Sequence, residues 1–148
     1  MLREKKITIQ DRNGELDFKI REMSAVKLES WVMRAILLLA SAGSDIPANK
    51  GIEGAATYLA NHGLEALGKI DFDKAKPLLD EMLEACAFRI VDRLEEAVTP
   101  QTAEAYIGDI KTLFTLRKEC LAINLNFFGN GSQQSTPERA STVRLNAR

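Results

Sequence analysis

Residues 16–21 read Leu-Asp-Phe-Lys-Ile-Arg, and the strict alternation of apolar and charged side chains along this run decides how the fold begins. A period of two is typical of a β-strand with one buried face. The dipeptide Asn13-Gly14 precedes the run, and Ile7-Thr8-Ile9 precedes the dipeptide. Asn-Gly supplies the positive φ angles of a tight hairpin turn, so the sequence predicts an N-terminal β-hairpin over about residues 5–22. The side chains expected to face the core are Leu16, Phe18 and Ile20.

Beyond the hairpin the apolar residues repeat with the period of α-helices. Helices are expected at about 25–42, at 52–67, from a cap at Asp71 or Asp73 to 88, and through 110–127. Two points stay open. Residues 89–91 can either extend the third helix or form a short strand, and both Thr102 and Asp109 can cap the last helix.

These patterns predict a mainly α fold of the α+β kind, in which the hairpin packs on a small bundle of about four helices. One domain is expected to span residues 1–128. Residues 129–148 hold only four apolar side chains, at 140, 143, 145 and 147. Such a stretch cannot bury enough apolar surface to offset the entropy lost on ordering, so a flexible, disordered C-terminal tail is expected.

The composition limits the possible functions and locations. The chain has 148 residues, with 20 basic against 21 acidic side chains and a net charge of −1. A near-neutral chain has no overall attraction to nucleic acid. Its longest uncharged apolar run, residues 35–40, is far shorter than the ~20 residues of a membrane span, and the charged N-terminus has no apolar signal region behind it. The expectation is a cytoplasmic protein that binds neither membrane nor nucleic acid.

Few residues could carry catalysis or hold a metal. His62 is the one histidine, and Cys86 and Cys120 are the two cysteines. These are too few for a Cys/His zinc site, and the cysteines are expected to be free thiols in the core. Asp80 and Glu84, four residues apart on a helix, could act as an acid–base or metal pair, but we assign them to a solvated acidic face. No phosphate-binding glycine motif is present. We therefore expect neither an enzyme nor a cofactor.

Several short motifs follow one another along the chain in a fixed order: ITI at 7–9, KIREM at 19–23, the segment from Trp31 to Ala40, the segment from Gly43 to Pro47, PLLDEM at 77–82 and the pair Phe127-Phe128. This ordered series covers roughly residues 7–128. It resembles the tail assembly chaperones of long-tailed, siphovirus-like bacteriophages.

The resemblance implies a function without chemistry, inside the cytoplasm of a bacterial host. Proteins of that family bind the tape measure protein, keep it soluble and help recruit tail tube subunits around it. For this chain the expected partners are therefore a tape measure protein and a tail tube protein. The alternatives left open are a small helical adaptor and a nucleic-acid-binding phage regulator.

A tape measure helix would need apolar anchors on the chaperone, spaced to fit a helix in a groove. The candidate partner-binding residues are Trp31, Leu38, Phe114, Leu121, Leu125 and Phe128. For each of them, ordinary packing in the core is the competing interpretation. The last helix also repeats apolar residues with heptad spacing, which could mediate self-association.

Overall fold

The computed structural model describes residues 1–41, 51–67 and 70–125. Within these ranges the chain forms a four-stranded antiparallel sheet in the order β1-β2-β3-β4, together with five helices. The strands are β1 (Glu4–Asp11), β2 (Gly14–Arg21), β3 (Ala87–Val91) and β4 (Leu94–Ala97). The helices are α1 (Ala25–Ser41), α2 (Gly51–Leu67), α3 (Phe72–Cys86), α4 (Pro100–Ala103) and α5 (Ile110–Leu125). The predicted tail at 129–148 lies outside the described residues.

The predicted N-terminal hairpin is confirmed. β1 and β2 pair antiparallel, with Ile7 opposite Phe18, and Gly14 takes the positive φ of 119° that the turn needs. Phe18 and Ile20 are fully buried, whereas Asp17 on the opposite face is exposed. The alternation of the sequence therefore marks the two faces of β2.

The prediction of a mainly α fold with a lone hairpin is wrong, because a second hairpin completes the sheet. β3 pairs with β2 through Ile20 opposite Ala87 and Phe18 opposite Arg89, and β4 pairs with β3. The third helix ends at Cys86, and β3 begins at the next residue. The structure is an α+β fold in which β2 is an inner strand.

The second hairpin lacks the turn residues that reveal the first one. Its turn is Asp92-Arg93, and both residues have positive φ, at 52° and 70°. Glycine or asparagine is the usual choice at such positions, so this turn carries no sequence signal. β3 also follows α3 without a loop, since Ala87 is at once the C-cap of α3 and the first residue of the strand. No break in the sequence separates the helix from the sheet.

The helical predictions agree more closely with the structure. α1 begins at Ala25 and ends at Ser41, close to the expected 25–42. α3 is capped by Asp71, whose side chain accepts from the backbone N–H of Asp73. α5 begins directly after Asp109, which settles the choice between the two expected starts of the last helix. Within the described residues, no helix is both long enough and apolar enough to cross a bilayer.

A single carboxylate fixes the hairpin to the start of α5. Asp11, only 8% exposed, accepts hydrogen bonds from the backbone N–H groups of Asn13 (3.0 Å), Gly108 (2.8 Å) and Asp109 (2.9 Å) and from the hydroxyl of Thr112 (2.6 Å). Burial by itself would raise the pKa of Asp11. The four donors outweigh it and lower that pKa from 3.8 to about 2.

Three neighbouring contacts surround the Asp11 carboxylate. The Asp109 carboxylate accepts from the backbone N–H and from Nε of Arg12, each at 2.9 Å, and Asn13 Nδ2 donates to the carbonyl of Tyr106. A Cβ at Gly108 would lie 2.7 Å from Cγ of Arg12, closer than side chains tolerate. A larger residue at 108 would therefore displace the side chains of Arg12 and Asn13 and disturb the contact between this loop and the turn.

Replacing Asp11 by asparagine is expected to lower Tm by roughly 5–10 °C at pH 7, because a neutral amide cannot accept from four donors as a carboxylate does. Asp17→Asn, on the exposed face of β2, is the matched control and is expected to leave Tm nearly unchanged. Thermal unfolding followed by circular dichroism measures both.

The same carboxylate predicts an acid sensitivity. Its folded pKa of about 2 lies below the ordinary 3.8, so its stabilisation is complete above about pH 4 and is lost as the pH falls from 4 through 2. Asp11→Asn should therefore differ most from the wild type near neutral pH and converge with it near pH 2. Equal differences at pH 7 and pH 2 would contradict this role of Asp11.

Candidate partner-binding surface

The six residues predicted to bind a partner lie in three different environments. Trp31 is fully buried, and its indole Nε1 donates to the carbonyl of Leu78 at 2.8 Å. Leu121 and Leu125 are also buried, and Leu38 is half-buried against the core. These four side chains therefore form or border the core. The remaining candidates are Phe114, which is 61% exposed, and Phe128, which lies outside the described residues.

Phe114 belongs to a small apolar surface at one end of a helix pair. Ile110, one turn earlier on α5, is 68% exposed, and Phe72 in the first turn of α3 is 66% exposed. α3 contacts α5 first through Asp80 and Arg117 and then, further along both helices, through Cys86 and Asn124. α3 and α5 therefore run broadly parallel.

The parallel arrangement places the two exposed first turns at the same level along the helix pair. In the two contacts the α5 residue follows the α3 residue by 37 and 38 positions. The same offset places Phe72, at the start of α3, level with residues 109–110, at the start of α5. We call Phe72, Ile110 and Phe114 the apolar end. Of these three residues, only Phe114 was predicted from the sequence. Ile110 and Phe72 are the first residues of their helices, and from the sequence an apolar residue at such a position is expected to be buried as often as exposed.

The acidic residues considered for catalysis line a cleft between α1 and α3. The cleft has a volume of about 510 Å³ and is also lined by Lys27 and Arg34 of α1. Glu81 is held by a bidentate pair with Arg34, at 2.6 and 2.7 Å. This pairing lowers the pKa of Glu81 below its usual range. Asp80 and Glu84 both border the cleft.

Asp80 is not part of a solvated face, contrary to the expectation from its sequence. Its side chain is 15% exposed and lies between Lys76 and Arg117, with Arg117 Nη2 donating at 2.8 Å. Burial raises the pKa of Asp80, and the hydrogen bonds from Lys76 and Arg117 outweigh burial and lower it. The carboxylate therefore ties α3 to α5, whereas Glu84 is exposed, as expected. The Asp80 carboxylate is occupied by two ion pairs and its pKa is lowered, which suits a structural contact better than proton transfer at neutral pH.

The two cysteines lie in the core, where they contact a buried asparagine. Cys86 and Cys120 are both free and fully buried. The Asn124 side-chain amide donates to the Cys120 carbonyl at 2.7 Å and lies 3.3 Å from Cys86 Sγ, while its oxygen accepts from the backbone N–H of Met23 at 2.8 Å. Proximity to Cys86, together with burial, raises the pKa of Cys120, whereas interaction with Cys120 and Asn124 lowers the pKa of Cys86. Both thiols are fully buried, so a solute has no access to either sulfur in the folded protein.

His62 occupies a surface position on α2. Its side chain is 53% exposed, and its ring lies 4.9 Å from that of Tyr58. Its Nδ1 is 3.7 Å from the carboxylate of Glu65. Among the residues that the structure describes, no three His, Cys, Asp or Glu side chains are grouped as metal ligands.

Asp80→Ala is expected to destabilise the fold by about 1–2 kcal/mol. The change removes the carboxylate that pairs with both Lys76 and Arg117, and it leaves the half-buried Arg117 guanidinium unpaired. Glu84→Ala, one turn further along α3, is the matched control and should change stability by less than ~0.5 kcal/mol. Urea denaturation measures both free energies of unfolding. An equal loss in the two variants would mean that the Asp80 ion pairs contribute nothing.

Comparison with known proteins leaves the family of this chain open. No family model, curated protein or solved structure matches it. The features of the chain that bear on its function are the apolar end, the packing around it and the ordered motifs of its sequence.

Proposed function

We propose that this protein is a phage tail assembly chaperone, which binds and solubilises a tape measure protein and helps recruit tail tube subunits. The observation that carries the proposal is the ordered series of motifs over residues 7–128, which resembles that family. It acts in the cytoplasm of the bacterial host, without catalysis or a cofactor.

The apolar end is the surface assigned to the tape measure protein. Its three side chains, each more than 60% exposed, stand on two neighbouring helix starts. A tape measure helix presents apolar residues one turn apart, and Ile110 and Phe114 offer anchors at the matching spacing of four residues. Burying one such side chain contributes about 1.5–3 kcal/mol, so three of them form a reversible contact rather than a permanent one.

The surroundings of the apolar end support a preformed surface. α5 is fixed at its start by the Asp11 carboxylate, and α3 is tied to α5 by the Asp80–Arg117 ion pair. Both first turns are therefore held in place before a partner arrives. A preformed surface reduces the entropy lost on binding.

The direct test is co-expression with the cognate tape measure protein. The tape measure protein should become soluble and co-purify with the wild-type chain. The complex should persist at ~0.5 M salt, because the burial of apolar surface is not screened by ions, whereas exposed charge–charge contacts are. A tape measure protein that is equally insoluble with and without this chain would refute the proposal.

The surface is tested by Ile110→Ser combined with Phe114→Ser. This pair of changes should weaken binding at least ~100-fold, since two anchors of about 1.5 kcal/mol or more each are lost. Leu94→Ser is the matched control, because Leu94 is 72% exposed but lies on strand β4 rather than on α3 or α5. Circular dichroism must show that both variants stay folded. Loss of binding in the Leu94 variant alone would place the partner on the sheet instead.

A further inference from the structure

A second apolar surface runs along the outer side of α1. Val26, Ser30, Met33, Leu37 and Ala40 recur at intervals of 4, 3, 4 and 3 residues. Val26 is 77% exposed and Leu37 62% exposed; Ser30 and Ala40 are also exposed, and Met33 is half-buried. We call these five residues the α1 stripe. Its spacing is that of the a and d positions of two heptads.

The α1 stripe lies opposite the side of the helix that packs in the core. The buried residues of α1 are Trp31, Val32, Ala35 and Leu39. At 100° per residue, the centre of this buried set is turned by nearly 180° from the centre of the stripe. Another helix can therefore lie along the stripe without displacing any core contact of α1.

The geometry points to a second copy of this chain as the occupant, paired through α1 in a parallel two-fold dimer. With Ser30 and Leu37 at a positions, Glu29 occupies a g position, and Lys27 and Arg34 occupy e positions. In a parallel pair, a g residue faces the e residue five positions later on the partner helix. Glu29 of each copy then faces Arg34 of the other, so the charges beside the stripe are self-complementary.

The charges also oppose the antiparallel alternative. An antiparallel pair would bring e positions together and place Lys27 beside Arg34, two positive charges. Arg34 can serve the parallel pair although it already binds Glu81, because its Nη1 and Nη2 each use one N–H in that ion pair and keep another. Its side chain remains 46% exposed.

The dimer should be weak and dependent on concentration. Two heptads form a short seam, and the polar Ser30 lies within it. However, α1 is already held as a helix by its core contacts, so pairing does not have to nucleate a helix. A dissociation constant in the micromolar range is expected, because much of the favourable free energy of so short a seam is offset by the entropy lost on association. This inference does not depend on the proposed chaperone function, since it concerns the free protein.

Sedimentation velocity over a range of concentrations tests the dimer. The wild type should pass from monomer to dimer, and Leu37→Glu should weaken the dimer at least tenfold, because it places two carboxylates in one layer of the seam. Leu94→Glu, an equally exposed leucine on β4, should not weaken it. A wild type that stays monomeric up to ~300 µM, or a dimer unaffected by Leu37→Glu, would overturn the inference.

A cross-linking experiment tests the parallel direction separately. In a parallel pair the two copies of residue 37 occupy the same layer, within the ~4.4–6.8 Å between Cα atoms that a disulfide needs. Leu37→Cys should therefore form a covalent dimer under a mild thiol oxidant, whereas Phe114→Cys should not. Cys86 and Cys120 are fully buried and should not form cross-links between molecules. The wild-type chain, oxidised in the same way, measures any covalent dimer that they do form. Dimers that form equally from both variants would contradict the assigned interface.

Discussion

The buried Asp11 carboxylate is the contact on which the arrangement of this fold depends. A two-stranded hairpin is marginally stable alone, so it needs contacts with later segments of the chain. Asp11 binds the turn of the hairpin to the start of α5, about one hundred residues later. At the other end of the hairpin, Arg3 donates to the carbonyl of Ile123 and Lys5 pairs with Glu119. The hairpin is thus attached at both ends to one helix, and β2 is presented for pairing with β3.

This attachment also decides which apolar side chains remain outside. α5 packs against the hairpin and α3 and uses Leu116, Cys120, Leu121 and Leu125 for the core. Two residues of its heptad pattern, Leu116 and Cys120, are therefore used in the core of one molecule. Between Ile110 and Leu125, the exposed large apolar residues are Ile110 and Phe114, in the first two turns. α1 buries one side and leaves the opposite side open. Which apolar residues of α1 and α5 remain exposed therefore depends on which side of each helix packs in the core.

The sequence predicted the parts of the fold whose signals are local. The alternation in 16–21 and the turn signal at Asn13-Gly14 depend only on neighbouring residues; both mark the first hairpin, although only Gly14 of the pair takes a positive φ. For two helix starts the sequence left a choice, between Asp71 and Asp73 and between Thr102 and Asp109, and the structure has the helices begin after Asp71 and after Asp109. For the β3–β4 hairpin the sequence offered only a short strand at 89–91 as one of two alternatives, which the structure bears out as part of β3; the hairpin itself was missed, because its turn is Asp92-Arg93 and its first strand continues directly from a helix. The candidate surface was predicted only through Phe114. Whether Phe72 and Ile110 are exposed depends on how α3 and α5 pack against each other. The periodicity of a single helix gives no information on that packing.

The direct passage from α3 into β3 has a mechanical consequence. Ala87 ends the helix, begins the strand and accepts from the backbone N–H of Val98, so no flexible joint separates α3 from the sheet. A pull or twist applied to Phe72 at one end of α3 is transmitted along about four turns of helix to β3 and, through the pairing of Ala87 with Ile20, to β2. Load applied to Phe72 therefore reaches β3 and β2 without passing through a loop, and Pro77 interrupts the backbone hydrogen bonds of α3 on the way.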